Sequence, residues 1–287
     1  MPLPGWGEVF EKTAGIWYCK VSANKEDALL KEWTTRNDIV EVGKRMYAKG
    51  FVAANDGNIS VRLSEDTVMI TPSGVSKGYM NPEDMVITDM QGQVLKGAKK
   101  PSSEIKMHLE VYRNRPDVCA VCHAHPQKAT AFAVARKVCE KVALPEVVFS
   151  IGSVALADYA TPSTQQLPDS IRDIVKTTDA ILLANHGALT AGSDVFDAYY
   201  KMETLEHYAS IILYARLLGG EQGLTPQQVS ELFRVRRDVF GKSDFGYLGD
   251  GYCGGRDIDA AAGHTENDAV SEDELVKAIT QAVMARL

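Results

Sequence analysis

Val118-Cys119-Ala120-Val121-Cys122-His123-Ala124-His125-Pro126 is a short apolar run that ends in two imidazoles one residue apart and is closed by proline. Its length and its burial-prone residues predict an interior strand. Side chains alternate faces along a strand, so His123 and His125 point the same way and can grip one ion. A catalytic zinc takes three protein ligands and keeps a further position open, so a third ligand is needed. His186 is the best candidate, because Asn185-His186-Gly187 follows a second run of this kind, Ala180-Ile181-Leu182-Leu183-Ala184, and again sits where a strand ends. Glu104, in Pro101-Ser102-Ser103-Glu104, opens a predicted helix and brings a carboxylate within reach of the same ion.

Working outward, composition narrows the class. The 287 residues are 45% hydrophobic and 24% charged, ordinary for a soluble globular protein with a sizeable core. A net charge of -7 argues against a nucleic-acid backbone as partner, because counterion release needs clustered Lys and Arg. No apolar run reaches the roughly 18 residues of a membrane span, and residues 1–15 lack the pattern of a signal peptide. The expected location is the cytoplasm. Cys119 and Cys122 form a CxxC beside the histidines, yet on a strand they face opposite sides, and no second CxxC completes a structural zinc site.

Residues 1–24 show no clear period and read as an irregular arm. Apolar residues from Leu29 to Tyr47 fall at helical spacing, predicting a long helix over 25–49. Asn58–Leu63 and Thr67–Thr71 predict one hairpin, and Met85–Thr88 with Val94-Leu95 a second. Between them, Thr71-Pro72-Ser73-Gly74-Val75-Ser76-Lys77-Gly78 is either a plain Gly/Ser turn or a loop whose N–H and hydroxyl groups converge on an anion, with Lys77 adding charge. Asn55-Asp56-Gly57-Asn58 is likewise a tight turn or a phosphate lip. His108 shares an apolar helix face with Ile105, Leu109 and Tyr112 and reads as a core histidine. His207 is a distant substitute for His186. Leu144–Phe149 reads as a strand, Thr164–Lys176 as a helix, and Asp194–Leu218 as a long helix capped by Ser193 or Asp194.

Beyond Phe245 the chain turns Gly- and Asp-rich, which predicts a flexible linker over 246–268. Residues 269–287 carry an acidic start and an apolar stripe at Leu275, Ile279, Val283 and Leu287, an amphipathic helix that needs a partner groove. The chain thus divides into an arm (1–24), a catalytic domain (25–245), the linker (246–268) and the terminal helix (269–287).

Three imidazoles beside a carboxylate suit a metal Lewis acid acting on an oxygen-rich, phosphorylated substrate. Nitrogen ligands favour zinc over magnesium, with iron, manganese and cobalt as alternatives. Five stretches, Asn58-Ile59-Ser60, Thr71-Pro72-Ser73-Gly74, Pro101-Ser102-Ser103-Glu104, His123-Ala124-His125-Pro126 and Asn185-His186-Gly187, stand in the order seen in the class II aldolase/adducin family. Over about residues 30–220 the chain resembles that family, and within it the fuculose-phosphate aldolases. The resemblance implies a three-layer α/β/α fold with a central, mostly antiparallel sheet, assembled as a homotetramer with interfacial sites. It implies His123, His125 and His186 as zinc ligands, one Zn2+ per subunit, and Glu104 as acid/base. Asn58, Ser73, Gly74, Ser102 and Ser103 become phosphate-binding residues.

The implied reaction is reversible cleavage of a fuculose-like ketose 1-phosphate to dihydroxyacetone phosphate and a small aldehyde such as lactaldehyde. A 4-epimerase, dehydratase or decarboxylase of the family, or a non-catalytic adducin-like assembly module, are the alternatives. One departure stands out: where the family's aldolases place a proton-donating tyrosine, this chain has Phe149, leaving Tyr159, Tyr247 or Tyr252 to supply a hydroxyl. The terminal helix resembles the encapsulation peptides that bind bacterial-microcompartment shell proteins; docking on its own tetramer is the alternative.

Overall fold

The computed structural model describes residues 10–13, 16–19, 25–137 and 142–242, with side chains from residue 29 onward. The linker, the terminal helix, Tyr247 and Tyr252 lie outside the described residues. A hairpin of β1 (Phe10–Thr13) and β2 (Ile16–Cys19) comes first, where the sequence predicts an irregular arm. Ile16-Trp17-Tyr18 has the β-branched and aromatic composition of a strand, too short to show a period. Then follow the helix α1 (Lys25–Ala48), the expected hairpin of β3 (Asn58–Arg62) and β4 (Thr67–Ile70), and that of β5 (Val86–Asp89) and β6 (Val94–Lys96). The middle of the chain is α2 (Ile105–Asn114), β7 (Ala120–Ala124), α3 (Gln127–Val134), α4 (Pro145–Ser150), β8 (Val154–Ala157) and α5 (Gln166–Ile171). It ends with β9 (Ala180–Leu183), β10 (Gly187–Gly192), α6 (Val195–Leu217) and α7 (Pro226–Asp238).

The eight strands β3–β10 form one sheet in the order β6-β5-β4-β3-β7-β10-β9-β8, antiparallel throughout except for the parallel pair β8–β9. Alternation along each strand sorts side chains into two cores. Cys122 and Ala124 of β7 and Ala180 and Leu182 of β9 pack with α1, α3, α4 and α6 on one face. Val121, Ile181, Leu183 and Leu189 pack with α2 and α5 on the other. This is the predicted α/β/α sandwich, and Cys122 belongs to its packed interior, where burial pushes its thiol up. No described helix is long and apolar enough to cross a membrane.

Two local expectations change, and two elements appear that the sequence did not declare. Leu144–Phe149 is the helix α4, because Pro145 at its first position presets a helical φ and three-dimensional packing overrides the β-prone Val147-Val148-Phe149. The helix expected over Thr164–Lys176 breaks into α5 and a 3₁₀ turn at Ile174–Lys176. β10, Gly-Ala-Leu-Thr-Ala-Gly, has little strand propensity and is made a strand by pairing with β7 and β9 on both sides. Its small residues let α6 lie close: a Cβ on Gly192 would come 2.3 Å from the Ala198 nitrogen. Helix α7 opens on a reciprocal capping box between Thr225 and Gln228, a signal the hydrophobic period does not carry.

At the end of β7 and β10 away from the histidines, buried charges tie the layers together. Asp179 accepts from Arg115 at 2.9 Å and from Lys201 at 2.8 Å, and Asp117 and Asp197 complete the network. Removing the shared carboxylate leaves two buried cations with fewer partners, which costs about 3 kcal/mol or more. Asp179→Ala is therefore expected to lower the thermal midpoint by several degrees in a calorimetric scan, and an unchanged midpoint would show that this network holds nothing.

Candidate active site

The two histidine segments reach one place because β7 pairs with β10, so the end of the first meets the start of the second. His123, next to last in β7, lies opposite Asn58 of β3 on one side and Leu189 of β10 on the other. His186 sits in the tight connection between β9 and β10, where Asn185 takes φ +54, a left-handed conformation that asparagine tolerates better than most residues. Ring centroids of His123, His125 and His186 are 4.7–5.2 Å apart. One ring nitrogen from each lies within 4.8 Å of the others, with His123 Nε2 and His125 Nε2 at 3.2 Å. Gly187 makes the approach feasible, since a Cβ there would stand 2.5 Å from both the Ala124 carbonyl oxygen and His125 Cδ2.

The remaining ring nitrogens are oriented from behind. His123 Nδ1 donates to the Ala188 carbonyl at 2.9 Å, which leaves Nε2 as a bare lone pair aimed into the cluster. His125 Nδ1 lies 3.5 Å from the Asp56 carboxylate. A backbone carbonyl or carboxylate behind the ring is the usual arrangement around a metal-ligating imidazole. Burial pushes the fully enclosed His123 ring down to about 3, against the pull of Glu104, and burial with the neighbouring His186 pushes His125 down as well. Imidazoles held neutral in this way are ready to bind a cation.

Glu104 stands at the N-cap of α2 and is almost fully buried. Its Oε2 accepts from Asn58 Nδ2 at 2.8 Å and lies 3.3 Å from His123 Nε2. Oε1 lies 3.2 Å from His186 Nε2 but outside hydrogen-bond geometry, and His186 Nδ1 is also a buried atom with no hydrogen-bond partner. Burial raises the Glu104 carboxyl, but His123, His186 and the Asn58 amide outweigh it and hold the group well below the usual carboxylate range. An orphaned carboxylate oxygen and an orphaned ring nitrogen in a cluster that also holds the bare His123 Nε2 fit a bound divalent cation.

The two hydroxyl-rich loops meet as well. Pro72 and Pro101 form a bridge, Ser73 N–H donates to the Lys100 carbonyl and Ser102 N–H to the Thr71 carbonyl. Ser73, Gly74 and Ser103 are exposed, while Ser102 is buried and its hydroxyl accepts from the Glu104 N–H. Lys77 does not extend to this lip. Its ammonium is buried against the Asn55 and Val75 carbonyls, and burial pushes it down to about 8. His207 is exposed on α6, away from the cluster role held by His186, and Phe149 packs on Phe240.

Some residues escaped the sequence reading. Asp56 was legible as part of a tight turn or a phosphate lip, and the structure sets its carboxylate beside His125. Glu206, on α6 beside the exposed His207, accepts from the Lys128 and Ala129 N–H groups at 2.9–3.1 Å and so caps α3 directly after His125-Pro126. Only the packing of α6 on α3 reveals it.

A family model described as Class II Aldolase and Adducin N-terminal domain matches residues 37–213, more than half of the chain. The chain belongs to the class II aldolase and adducin family. As a member it is a metal-dependent lyase. An L-fuculose phosphate aldolase of Methanococcus maripaludis is 34% identical over 174 residues, covering 61% of this chain and 93% of the relative. A 3-oxo-tetronate 4-phosphate decarboxylase of Haemophilus influenzae is 33% identical over 199 residues, 68% of this chain and 93% of the relative. The solved L-fuculose-1-phosphate aldolase of Thermus thermophilus superposes with a TM-score of 0.58 at 32% identity, covering 68% of this chain and 100% of that one. Within the class II aldolase scaffold, the three imidazoles have the donor chemistry for the metal.

Gly187→Ala tests the close approach. A forced methyl in a packed site costs about 1–3 kcal/mol, so divalent cobalt or zinc should bind about tenfold more weakly by calorimetric titration. Affinity equal to the parent's would mean that the three rings need no such proximity.

Proposed function

We propose that the chain is a zinc-dependent aldolase that reversibly cleaves a ketose 1-phosphate of the L-fuculose-1-phosphate type to dihydroxyacetone phosphate and a small aldehyde such as lactaldehyde. The observation that carries this reading is the meeting of three metal-competent imidazoles with an ionised, buried Glu104. His123, His125 and His186 hold the zinc, whose charge, when bound, polarises the substrate carbonyl and stabilises the negative charge left as the carbon–carbon bond breaks. Glu104 moves the proton. In the condensation direction it takes one from the hydroxymethyl carbon of dihydroxyacetone phosphate while the aldehyde oxygen gains a proton; in cleavage the hydroxyl that becomes the aldehyde gives up its proton and Glu104 delivers one to the hydroxymethyl carbon.

Ser73, Gly74, Ser102 and Ser103 bind the phosphate where the two loops join, next to the N-terminus of α2. Asn58 spends one amide hydrogen on Glu104 and keeps the second for a substrate oxygen. Decarboxylation of a 3-oxo acid phosphate is the second reading, supported by the Haemophilus relative and by Phe149 in place of the family's tyrosine. Both reactions leave an electron pair on carbon beside a carbonyl, so one site serves either.

We further assign the protein to a homotetramer with interfacial sites. Support comes from the bare apolar end of α6, where Leu217 and Leu218 are 76% and 88% exposed. Residues 269–287 are proposed as an address to a microcompartment shell protein; a chain ending at 265 is expected to keep full turnover, and loss of turnover would assign the segment to the enzyme itself.

The deciding experiment incubates zinc-loaded protein with ketose 1-phosphates and 3-oxo acid phosphates and follows products by NMR. Release of an aldehyde together with dihydroxyacetone phosphate from a ketose 1-phosphate is expected; loss of carbon dioxide from a 3-oxo acid phosphate, leaving its phosphorylated ketone while the ketose 1-phosphates stay intact, would replace the aldolase with the decarboxylase. Glu104→Gln should retain zinc and lose about 10²–10⁴-fold in kcat, the range of general acid–base catalysis.

A further inference from the structure

Behind Glu104 and Asn58 runs a file of buried polar groups, His108, Ser60 and Tyr112, that the proposed chemistry does not use. Asn58 Oδ1 is 2.5 Å from His108 Nε2, Ser60 Oγ is 2.6 Å from His108 Nδ1, and Ser60 Oγ is 2.8 Å from the Tyr112 hydroxyl. Ser60 and His108 are wholly enclosed, Tyr112 nearly so, and all three come from the facing elements β3 and α2.

The direction of every bond in this file follows from the Asn58 amide between its two neighbours. Its Nδ2 donates to Glu104 Oε2 at 2.8 Å, and its carbonyl faces His108 Nε2. That carbonyl only accepts, so His108 carries its proton on Nε2. Burial pushes the ring down to about 4, so His108 is neutral, its Nδ1 is bare, and Ser60 must donate to it. The Ser60 hydrogen is then spent, so Tyr112, whose phenol burial pushes up, donates to Ser60. Each group has one role left open by its neighbour, and the polarity runs without a break from Tyr112 to Glu104.

We propose that Tyr112, Ser60 and His108 are positioning residues, a one-way donor relay that acts through Asn58 to pin Glu104 Oε2 as an acceptor and present Oε1 to the reacting substrate. Oε1 is the oxygen without a hydrogen bond, on the His186 side. A merely structural cluster would need its polar atoms paired in some sense of direction; the relay needs one sense only. The inference rests on the assignment of Glu104 as the proton carrier.

The test uses the full-length, zinc-loaded protein and four variants. His108→Leu is expected to lower kcat by about 10–100-fold, the usual effect of a group behind an active-site residue, with KM and zinc content close to the parent's. His108→Gln, whose amide N–H replaces the Nε2 donor, should recover most of that loss. Ser60→Ala, which frees Nδ1 to take the proton, should lower kcat in the same way and decides the matter if His108→Leu does not fold. Tyr112→Phe should lower it less. Independently of turnover, ¹⁵N NMR of the His108 ring in the parent should show a protonated Nε2 and a bare Nδ1.

Parent-like kcat in Ser60→Ala, His108→Gln no better than His108→Leu, or the opposite tautomer each overturns the relay. If Glu104→Gln itself turns over like the parent, the assignment of Glu104 fails first, and the NMR result still reports on the relay's direction.

Discussion

One strand carries the site. β7 is paired antiparallel on both sides, with β3 and with β10, so its last residues meet the first residue of one neighbour and the opening of the other. That arrangement sets Asn58 across from His123 and swings the β9–β10 connection, with His186, over the same spot. Strand pairing fixes neighbouring backbones about 5 Å apart with no freedom to slip, because a one-residue shift would send His123 to the opposite layer. The constellation is therefore as rigid as the sheet.

Rigidity is joined to dehydration. His123 has no exposure at all and Glu104 very little, so each feels the other without the screening of water. Burial disfavours charge on both groups, and each eases it for the other: Glu104 pulls the His123 ring up, and His123, His186 and the Asn58 amide pull the carboxyl down. Carboxylate and imidazole donors gathered in this way invite a cation. The supports come from all sides: Ala188 behind His123, Asp56 beside His125, Glu206 capping the helix that follows, and the relay from Tyr112 behind Glu104.

The substrate side is built on looser terms. Ser73, Gly74 and Ser103 lie exposed on loops joined by a single bridge, so their backbone can vary without disturbing the sheet. Such a division suits a family in which relatives named as aldolases and as a decarboxylase share one scaffold. The proposed metal-side residues stand at strand ends and a helix cap, whereas the proposed phosphate-binding residues lie on loops that carry fewer constraints.

Local chemistry was enough to read the histidine strand, the Ser-Ser-Glu helix opening, the first two hairpins of the sheet and the long helices α1 and α6, because each declares itself within a dozen residues by period, cap or turn. It was also enough to nominate His123, His125, His186 and Glu104, which end or begin such elements. It misjudged Leu144–Phe149 and overlooked β10, since β-prone residues beside a proline and small residues in a central strand take their conformation from what packs on them. Lys77 looked available for an anion and is instead spent on two carbonyls of its own neighbourhood. Asp56, Ser60, His108 and Glu206 acquire their roles from partners 48 to 78 positions away, and no spacing along the chain encodes such a distance. Nomination of the reacting groups was a matter of residue type and position on an element; their orientation was decided only when sheet and helices closed around them.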